Sequence, residues 1–175
     1  MKTQTRIAIA LGTNLGDRLK NLSAAVAALK EDVLQNSILS SIYETEPWGI
    51  LDQPRFLNAV ILGECEWNPQ PILNYLKSLE RTLGRTTTLK NGPRVIDLDL
   101  IVFGDEIIEA PGLKVPHPGL PERDFVLEPL AEIWPTWRHP LLHQTALELK
   151  ESLGKPALKI FSKADALPLP DKEIR

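Results

Sequence analysis

The pattern of apolar residues divides the first hundred residues into alternating strands and helices. Short apolar runs predict strands at 6–12, 37–45, 56–63 and 95–103. Apolar side chains spaced three and four positions apart predict helices at 19–33 and 69–83. Asn68 and Pro69 are typical of a helix start, and Gly84 is typical of a helix end. The order predicts an α+β protein with a ferredoxin-like βαββαβ fold, in which two helices pack on an antiparallel sheet.

The second half of the chain is richer in proline, since most of the 15 prolines follow residue 110. Proline disrupts regular structure, so this half is predicted to be an irregular, Pro-rich C-terminal extension. A short strand is expected near 106–109, and a terminal helix is expected over 145–153. The length favours a single domain, placed at 1–160, followed by a flexible tail at 161–175.

Two aspartates, Asp97 and Asp99, interrupt the last of the predicted strands. Residues i and i+2 of a strand point to one face, with their Cα atoms roughly 6.5 Å apart. Aspartate is rarely fully buried without a partner. Adjacent carboxylates suit Mg²⁺, which binds a few carboxylates together with waters and substrate phosphates. The pair therefore predicts a metal site near a phosphate.

The same pattern is also typical of a strand that turns a polar face to water. Alternation places Val95, Ile101 and Phe103 on the face of the aspartates, which favours the metal site. Upstream, Arg94 adds a donor that can bind phosphate through two hydrogen bonds. Arg85 opens a polar loop that could close over a nucleotide.

A second polar residue, Asn58, lies in an apolar strand on the same face as Phe56, Val60 and Leu62. A buried amide needs hydrogen-bond partners. A flat heterocyclic ligand would supply them, with Phe56 stacked on its face and Asn58 bonded to its edge. A purely structural asparagine remains the alternative.

Composition excludes several classes of protein. The net charge of −3 gives no basic footprint for nucleic acid or for an acidic membrane. No apolar run approaches the roughly 18 residues of a membrane-spanning helix. The single cysteine, Cys65, cannot form an internal disulfide, which fits a reducing compartment. We expect a cytoplasmic, monomeric protein that binds neither nucleic acid nor membranes.

Four motifs occur together in one order: Leu11-Gly12-Thr13-Asn14-Leu15-Gly16-Asp17, Phe56-Leu57-Asn58-Ala59, Gly92-Pro93-Arg94 followed by Asp97-Leu98-Asp99, and Val115-Pro116-His117-Pro118 followed by Arg123 and Phe125. Over about residues 6–149 they resemble the 6-hydroxymethyl-7,8-dihydropterin pyrophosphokinase family. The resemblance implies that pyrophosphate passes from ATP to the hydroxymethyl group of a reduced pterin in folate biosynthesis, leaving AMP. It also implies two Mg²⁺ ions as cofactors, with ATP as co-substrate.

The resemblance implies a role for each matching residue. The catalytic residues would be Arg85, Arg94, Asp97 and Asp99, of which Asp97 and Asp99 would bind the metals. The ATP site would include Leu73, Lys77, Glu80, Arg85, Arg94, Leu100, Leu113, Lys114, His117 and Arg123. The pterin site would include Thr45, Glu46, Trp48, Phe56, Asn58, Asp97 and Phe125.

The loop before Gly92 departs from the family pattern. Thr87 and Asn91 stand where many members have Arg and Trp, and the loop is one residue shorter. Closure of this loop is therefore expected to differ, with Lys90 as a candidate for the missing charge. Phe56 replaces a frequent Tyr, which retains the ring and loses the hydroxyl.

Two other functions are compatible with these residues. The first is a metal-dependent kinase or phosphohydrolase acting on another heterocycle, which would release ADP or phosphate. The second is a non-catalytic binding module for RNA or a small effector. RNA recognition on such a sheet needs exposed aromatic residues and a basic face, and the strand at 6–12 has neither.

Overall fold

The computed structural model describes residues 3–168, so the predicted tail beyond Pro168 lies outside the described residues. The helices are α1 (Arg18–Asp32), α2 (Pro69–Thr82), α3 (Asp124–Ile133) and α4 (Ala146–Ser152). The strands are β1 (Thr5–Thr13), β2 (Gln35–Leu39), β3 (Ile42–Thr45), β4 (Phe56–Cys65), β5 (Asp97–Phe103), β6 (Ile108–Ala110), β7 (Leu113–Val115) and β8 (Lys159–Ser162). The protein is thus a mixed α/β structure.

An antiparallel sheet forms the centre of the molecule. Its strand order is β5-β1-β4-β3-β8, and β2 also pairs with β4. The long strands β1 and β4 pair over nine residues, from Thr5 opposite Cys65 to Thr13 opposite Leu57. β6 and β7 form a separate hairpin.

Helices cover both faces of this sheet, because the central strands are apolar on both sides. On the first face, Ile9 and Ile61 pack with residues of α1 and α2 such as Leu29 and Ile72. On the second face, Val60 packs with residues of α3 and α4. The predicted packing of helices on an antiparallel sheet is confirmed, and α3 and α4 form an additional layer.

Local sequence explains where the helices begin and end. The Asp17 side chain accepts a hydrogen bond from the Lys20 amide and so caps α1. α2 begins at Pro69, whose missing amide proton costs nothing at a helix start. Gly84 follows α2 with a φ of +99°, which confirms the predicted left-handed end. A capping box between Thr145 and Glu148 begins α4, within the predicted terminal helix.

The single strand predicted at 37–45 is wrong, because the chain forms β2 and β3 with a break at Ser40 and Ser41. The Ser40 amide donates to the Val60 carbonyl, while its hydroxyl accepts from the Val60 amide. The Ser41 amide donates instead to the Glu132 carboxylate. The Ser40 hydroxyl and the Glu132 carboxylate thus accept hydrogen bonds from the Val60 and Ser41 amides, which backbone carbonyls would accept in a continuous β-ladder.

The prediction that Phe103 shares the face of the two aspartates is also wrong. Ala8 pairs with Val102 and Ile9 pairs with Leu100, so Ile101 is an extra residue at a β-bulge. Ile101 and Val102 both pack on the second face, and Phe103 packs on the first. Val95 precedes β5 and lies outside the strand. Of the three residues predicted to share the face of the aspartates, only Ile101 lies there.

The helix α3 lies within the segment predicted to be irregular. Pro129 occupies its sixth position and removes one backbone donor, which is why the sequence argued against a helix there. Five of its residues are nevertheless buried: Val126, Leu127, Pro129, Leu130 and Ala131. β8 is a further unpredicted element, and it crosses residue 160. The domain boundary itself stays a prediction.

None of the helices within residues 3–168 is long and apolar enough to span a membrane.

Burial of α3 predicts the effect of truncating its side chains. Leu127 is fully buried on the second face, whereas Leu147 of α4 is 41% exposed. We expect Leu127→Ala to lower the free energy of unfolding by about 2–5 kcal/mol, measured by urea denaturation. The control, Leu147→Ala, should change it by less than about 0.5 kcal/mol. A loss below about 1 kcal/mol for Leu127→Ala would contradict the packing of α3 against the sheet.

Candidate active site

A cavity of about 310 Å³ opens on the second face of the sheet, beside the start of α3. Most of its lining is polar or aromatic. The lining residues are Ala10, Leu11, Gly12, Thr45, Glu46, Trp48, Phe56, Asn58, Lys77, Arg85, Asn91, Arg94, Asp97, Asp99, Ile101, His117, Arg123, Phe125 and Val126. The cavity therefore joins residues from both halves of the chain.

Strand register places the key polar side chains in one row across the sheet. Gly12 of β1 lies directly opposite Asp97 of β5 on one side and Asn58 of β4 on the other. Directly opposite residues of an antiparallel pair face the same side. A Cβ atom at Gly12 would approach the Asn58 Oδ1 to 3.0 Å. Glycine at position 12 therefore leaves room above β1 for the Asn58 side-chain amide, between β4 and β5.

Asp97 is held by two arginines. Arg85 Nη1 lies 2.7 Å from its Oδ1, and Arg94 Nη1 lies 3.3 Å from its Oδ2. Arg85 also lies 2.7 Å from the buried Glu80 carboxylate, which in turn accepts a hydrogen bond from the Leu98 amide. Burial raises the pKa of Glu80, although the Leu98 amide and the nearby cations oppose the shift. Glu80 thereby fixes Arg85 against the strand that carries the aspartates.

Asp99 differs from Asp97, since among the described residues it has no hydrogen-bond or ion-pair partner. Burial and the neighbouring Asp97 charge raise the pKa of Asp99 to about 7. An unpaired carboxylate in a half-buried position is costly for the protein unless a cation joins it. Within residues 3–168, no cluster of three His, Cys, Asp or Glu side chains can hold a metal ion. A cation here would therefore need ligands from a substrate and from water.

His117 and Arg123 line the same cavity as the aspartates, and the His117 amide donates to the Ile101 carbonyl of β5. Burial and the Arg123 charge lower the pKa of His117, so the ring is neutral near pH 7. The Gly119 amide donates to His117 Nδ1 over 3.0 Å, which leaves the proton on Nε2. His117 can therefore donate a hydrogen bond to an anion, and the two arginines and Arg123 supply positive charge.

The other end of the cavity is aromatic. Arg94 lies over the Phe56 ring, with its guanidinium carbon 5.4 Å from the ring centroid. Arg123 lies 5.8 Å from the Phe125 centroid and 6.0 Å from the Trp48 centroid. The Asn58 side-chain amide donates to the Thr45 hydroxyl over 2.6 Å. This end offers flat apolar surfaces and a polar edge, which suit a planar heterocycle.

Gln53 connects three segments around the opening of the cavity. Its side-chain Oε1 accepts a hydrogen bond from Asn14 Nδ2 over 3.0 Å, and its Nε2 donates one to the Asn91 backbone carbonyl over 2.8 Å. Asn14 in turn accepts from the Arg94 amide over 2.9 Å. Gln53 therefore links the loop after β1, the loop before β4 and the loop before β5.

The cavity contains most of the residues predicted from sequence. They are Thr45, Glu46, Trp48, Phe56, Asn58, Lys77, Arg85, Arg94, Asp97, Asp99, His117, Arg123 and Phe125. Glu80 lies outside the lining but pairs with Arg85. Four predicted ATP-site residues also lie outside it: Leu100 and Leu113 are buried in the first-face core, Leu73 packs against that core, and Lys114 is exposed.

Sequence reasoning assigned no site role to several further residues at the cavity. Ala10 and Gly12 form part of its floor, and Asn91 and Val126 line its sides. The signal of Ala10 and Gly12 was weak, because small residues in a strand do not by themselves indicate a site. Gln53 gave no local signal, since its partner Asn91 is 38 positions away.

Comparison with known proteins gives a consistent result. Residues 8–135 match the family model described as 7,8-dihydro-6-hydroxymethylpterin-pyrophosphokinase (HPPK). The 2-amino-4-hydroxy-6-hydroxymethyldihydropteridine pyrophosphokinase of Bacillus subtilis is 47% identical over 126 residues, covering 71% of this chain and 75% of that protein. The protein of the same name from Aquifex aeolicus is 40% identical over 149 residues, covering 85% and 92%.

Other relatives are longer than this chain. The folic acid synthesis protein fol1 of Schizosaccharomyces pombe is 37% identical over 165 residues, which are 93% of this chain and 22% of that protein. The crystal structure of wild-type HPPK-DHPS from Plasmodium falciparum superposes with a TM-score of 0.68 at 16% identity, over 87% of this chain and 45% of that one. This second similarity concerns the fold alone.

The Gln53 bridge predicts the dynamics of the loop before β5. We expect Gln53→Ala to speed amide hydrogen exchange at residues 89–92, because the Asn91 carbonyl loses its partner. The matched control is Gln70→Ala, which removes an exposed amide contact to Asn74 on α2. Equal exchange at 89–92 in the parent and in Gln53→Ala would show that the bridge does not order the loop.

Proposed function

The chain belongs to the 7,8-dihydro-6-hydroxymethylpterin-pyrophosphokinase family, and from this premise we propose that it transfers pyrophosphate from ATP to 6-hydroxymethyl-7,8-dihydropterin. The products are AMP and the pterin diphosphate, an intermediate of folate biosynthesis. The observation that carries the proposal is the single cavity in which Asp97 and Asp99 face the aromatic end that holds Asn58. One end suits a polyphosphate, and the other suits a flat heterocycle.

The reaction forms a bond between the hydroxymethyl oxygen and the β-phosphorus of ATP. The bond from that phosphorus to the oxygen shared with the α-phosphate breaks, so AMP leaves and the hydroxyl gives up its proton. Catalysis of this type depends on in-line positioning and on charge neutralisation. The chain therefore needs no covalent nucleophile, and the roles of its residues follow from their charge and position.

The carboxylates fit Mg²⁺, and we assign Asp97 and Asp99 as its ligands with two ions expected. Asp99 has no hydrogen-bond or ion-pair partner among the described residues, and burial together with the Asp97 charge raises its pKa, so a bound cation would stabilise its ionised form. When bound, Mg²⁺ would neutralise the phosphate oxygens and orient them. Asp97 retains Arg85 and Arg94 as partners, so it holds these arginines beside the phosphates.

Other side chains that line the cavity would neutralise the remaining charge of the phosphates. Arg85, Arg94 and Arg123 would bind phosphate oxygens, Lys77 would add charge, and neutral His117 would donate from Nε2. Glu80 positions Arg85. Contacts of Leu73, Leu100, Leu113 and Lys114 with the nucleotide stay predictions.

The pterin is assigned to the aromatic end. Phe56 and Phe125 would stack on its ring, and Asn58 would bond to its edge with help from Thr45. Glu46 and Trp48 would border the ring through their backbone groups. Because Asn58 and Thr45 bond to each other over 2.6 Å, the polar edge is already ordered before a ligand enters.

The finer fold assignment is also part of the proposal. The order β1-α1-β2-β4-α2-β5 and the neighbouring strands β5, β1, β4 and β2 support a ferredoxin-like core. The monomeric state, the cytoplasmic location, the absence of nucleic-acid and membrane partners and the domain limits at 1–160 stay predictions.

The nucleotide product tests the proposed reaction. Incubation of the protein with ATP, Mg²⁺ and 6-hydroxymethyl-7,8-dihydropterin should yield AMP and the pterin diphosphate in equal amounts, measured by chromatography. Omission of the pterin should abolish AMP formation. ADP or free phosphate would indicate a kinase or a phosphohydrolase, and absence of turnover would indicate a binding protein.

Substitution of the two carboxylates tests the metal site. We expect Asp97→Ala and Asp99→Ala each to lower kcat by about a thousandfold or more, because the phosphates lose their metal ligands. Both variants should remain folded, since Asp99 has no partner among the described residues and Arg85 retains Glu80. The control, Asp105→Ala, changes an exposed turn after β5 and should leave turnover within about twofold. Near-normal rates in a folded Asp97 or Asp99 variant would contradict the metal site.

A further inference from the structure

A polar cluster on the outer part of α3 connects this helix to β3 and lies outside the cavity. Glu132 Oε1 accepts from the Ser41 amide over 3.0 Å and from the Ser41 hydroxyl over 2.8 Å, while Oε2 accepts from the Tyr43 hydroxyl. The Lys163 ammonium lies 3.5 Å from the same Ser41 hydroxyl. We define Glu132, Ser41, Tyr43 and Lys163 as the β3 clamp.

The clamp acts at the break between β2 and β3, beside a short strand pairing. The chain leaves the ladder at Ser40 and Ser41, and β3 then pairs with β4 through only Tyr43, Glu44 and Thr45. Ser41 is 2% exposed, so its amide would lose a needed acceptor without Glu132. Burial alone would raise the pKa of Glu132. The hydrogen bonds from Tyr43 and Ser41 and the Lys163 charge have the larger effect together, so the pKa is lowered. Glu132 is therefore ionised near pH 7, which strengthens its bonds to the clamp.

Both elements that meet at the clamp lead to the aromatic end of the cavity. Along α3, Arg123 precedes Glu132 by nine residues, which is about 13 Å. Along β3, Thr45 follows Ser41 by four residues, which is also about 13 Å. Arg123 and Phe125 line one wall, and Thr45 lines the other. The position of these walls relative to each other thus depends on how α3 is attached to β3.

The clamp also lies next to the row of residues on the cavity floor. Tyr43 is directly opposite Asn58, whose amide bonds to Thr45. On the outer edge, β8 pairs with β3 from Ile42 to Glu44, and Arg18 lies 2.9 Å from Glu44. These outer contacts hold β3 within the plane of the sheet. Glu132 connects β3 to α3, which packs on the second face of the sheet.

We infer that Glu132 is a positioning residue for pterin binding, because the β3 clamp sets the separation between the wall of Thr45 and Asn58 and the wall of Arg123 and Phe125. The inference rests on the proposed function. It concerns mainly the pterin, since Arg123 alone among the proposed phosphate-binding arginines lies at the start of α3. Asp97, Asp99, Arg85 and Arg94 lie on β5 and in the loop before it, which the clamp does not touch. Loss of the clamp therefore affects the pterin more than ATP.

The test compares three substitutions on α3 and β3 at a temperature well below each unfolding midpoint. Glu132→Ala should raise KM for the pterin about tenfold, equivalent to about 1.4 kcal/mol, while KM for ATP changes by less than about twofold. Glu132→Gln should restore the pterin KM to within about threefold of the parent, because its amide can still bond to Ser41 and Tyr43. Tyr43→Phe removes one hydrogen bond and remains available where Glu132→Ala fails to fold; it should raise the pterin KM alone.

Glu128→Ala is the matched control. Glu128 lies one turn earlier on α3 and pairs with Lys150 of α4 over 2.9 Å, so the variant loses an ion pair of the same helix and leaves the hydrogen bonds between Glu132 and β3 in place. Both KM values should stay within about twofold of the parent. The inference is wrong if this control raises the pterin KM as much as Glu132→Ala does. It is also wrong if a folded Glu132→Ala has an unchanged pterin KM, or raises both KM values equally.

Hydrogen exchange separates failure of this inference from failure of the proposed function. Without any ligand, Glu132→Ala should speed amide exchange at residues 42–45 and 124–126, and Glu128→Ala should leave 42–45 unchanged. A parent protein that forms no AMP would reject the proposed reaction, and the exchange data would then decide the role of the clamp. Unchanged exchange at 42–45 in Glu132→Ala would reject the clamp.

Discussion

The site depends on one constraint, the register that aligns Asp97, Gly12 and Asn58 across three strands. This register brings a carboxylate and an amide to the same face, with only a glycine between them. A Cβ atom at position 12 would lie 3.0 Å from Asn58 Oδ1, which is closer than most Cβ contacts, so a larger residue on the central strand would displace the Asn58 side chain. A shift of any one of these strands by one residue would turn its own member of the row to the other face. The long pairing of β1 with β4 therefore stabilises the fold and the site together.

Electrostatics in the cavity follow from the same alignment. The strand places Asp97 and Asp99 on one side, where their charges repel and burial is unfavourable for both. The protein offsets this for Asp97 with Arg85 and Arg94, and it leaves Asp99 without a described partner. Glu80 then orients Arg85, at the cost of its own burial. Two carboxylates beside two arginines support the proposed binding of a metal ion together with a polyphosphate.

Local pattern was sufficient for the residues whose position follows from the period of a strand. Alternation predicts that Phe56 and Asn58 share one face of their strand and that Asp97 and Asp99 share one face of theirs. Phe103 was placed wrongly, since the bulge at Ile101 changes this alternation and no local residue type announces it. The helix α3 was missed because the many prolines after residue 110, Pro129 among them, favour irregular structure, and burial on the second face overrides that preference.

Contacts between distant parts of the chain lay beyond prediction from local pattern. Ser41 and Glu132 are 91 positions apart, and Gln53 and Asn91 are 38 apart, so neither pair leaves a periodic signal. Each of these contacts nevertheless determines where a wall or a loop of the cavity lies. The residues proposed to contact a substrate could be identified from motifs, whereas the residues that hold those motifs in place required the fold. In this protein the second group is built from ordinary polar side chains, whose importance comes from the two elements that each of them joins.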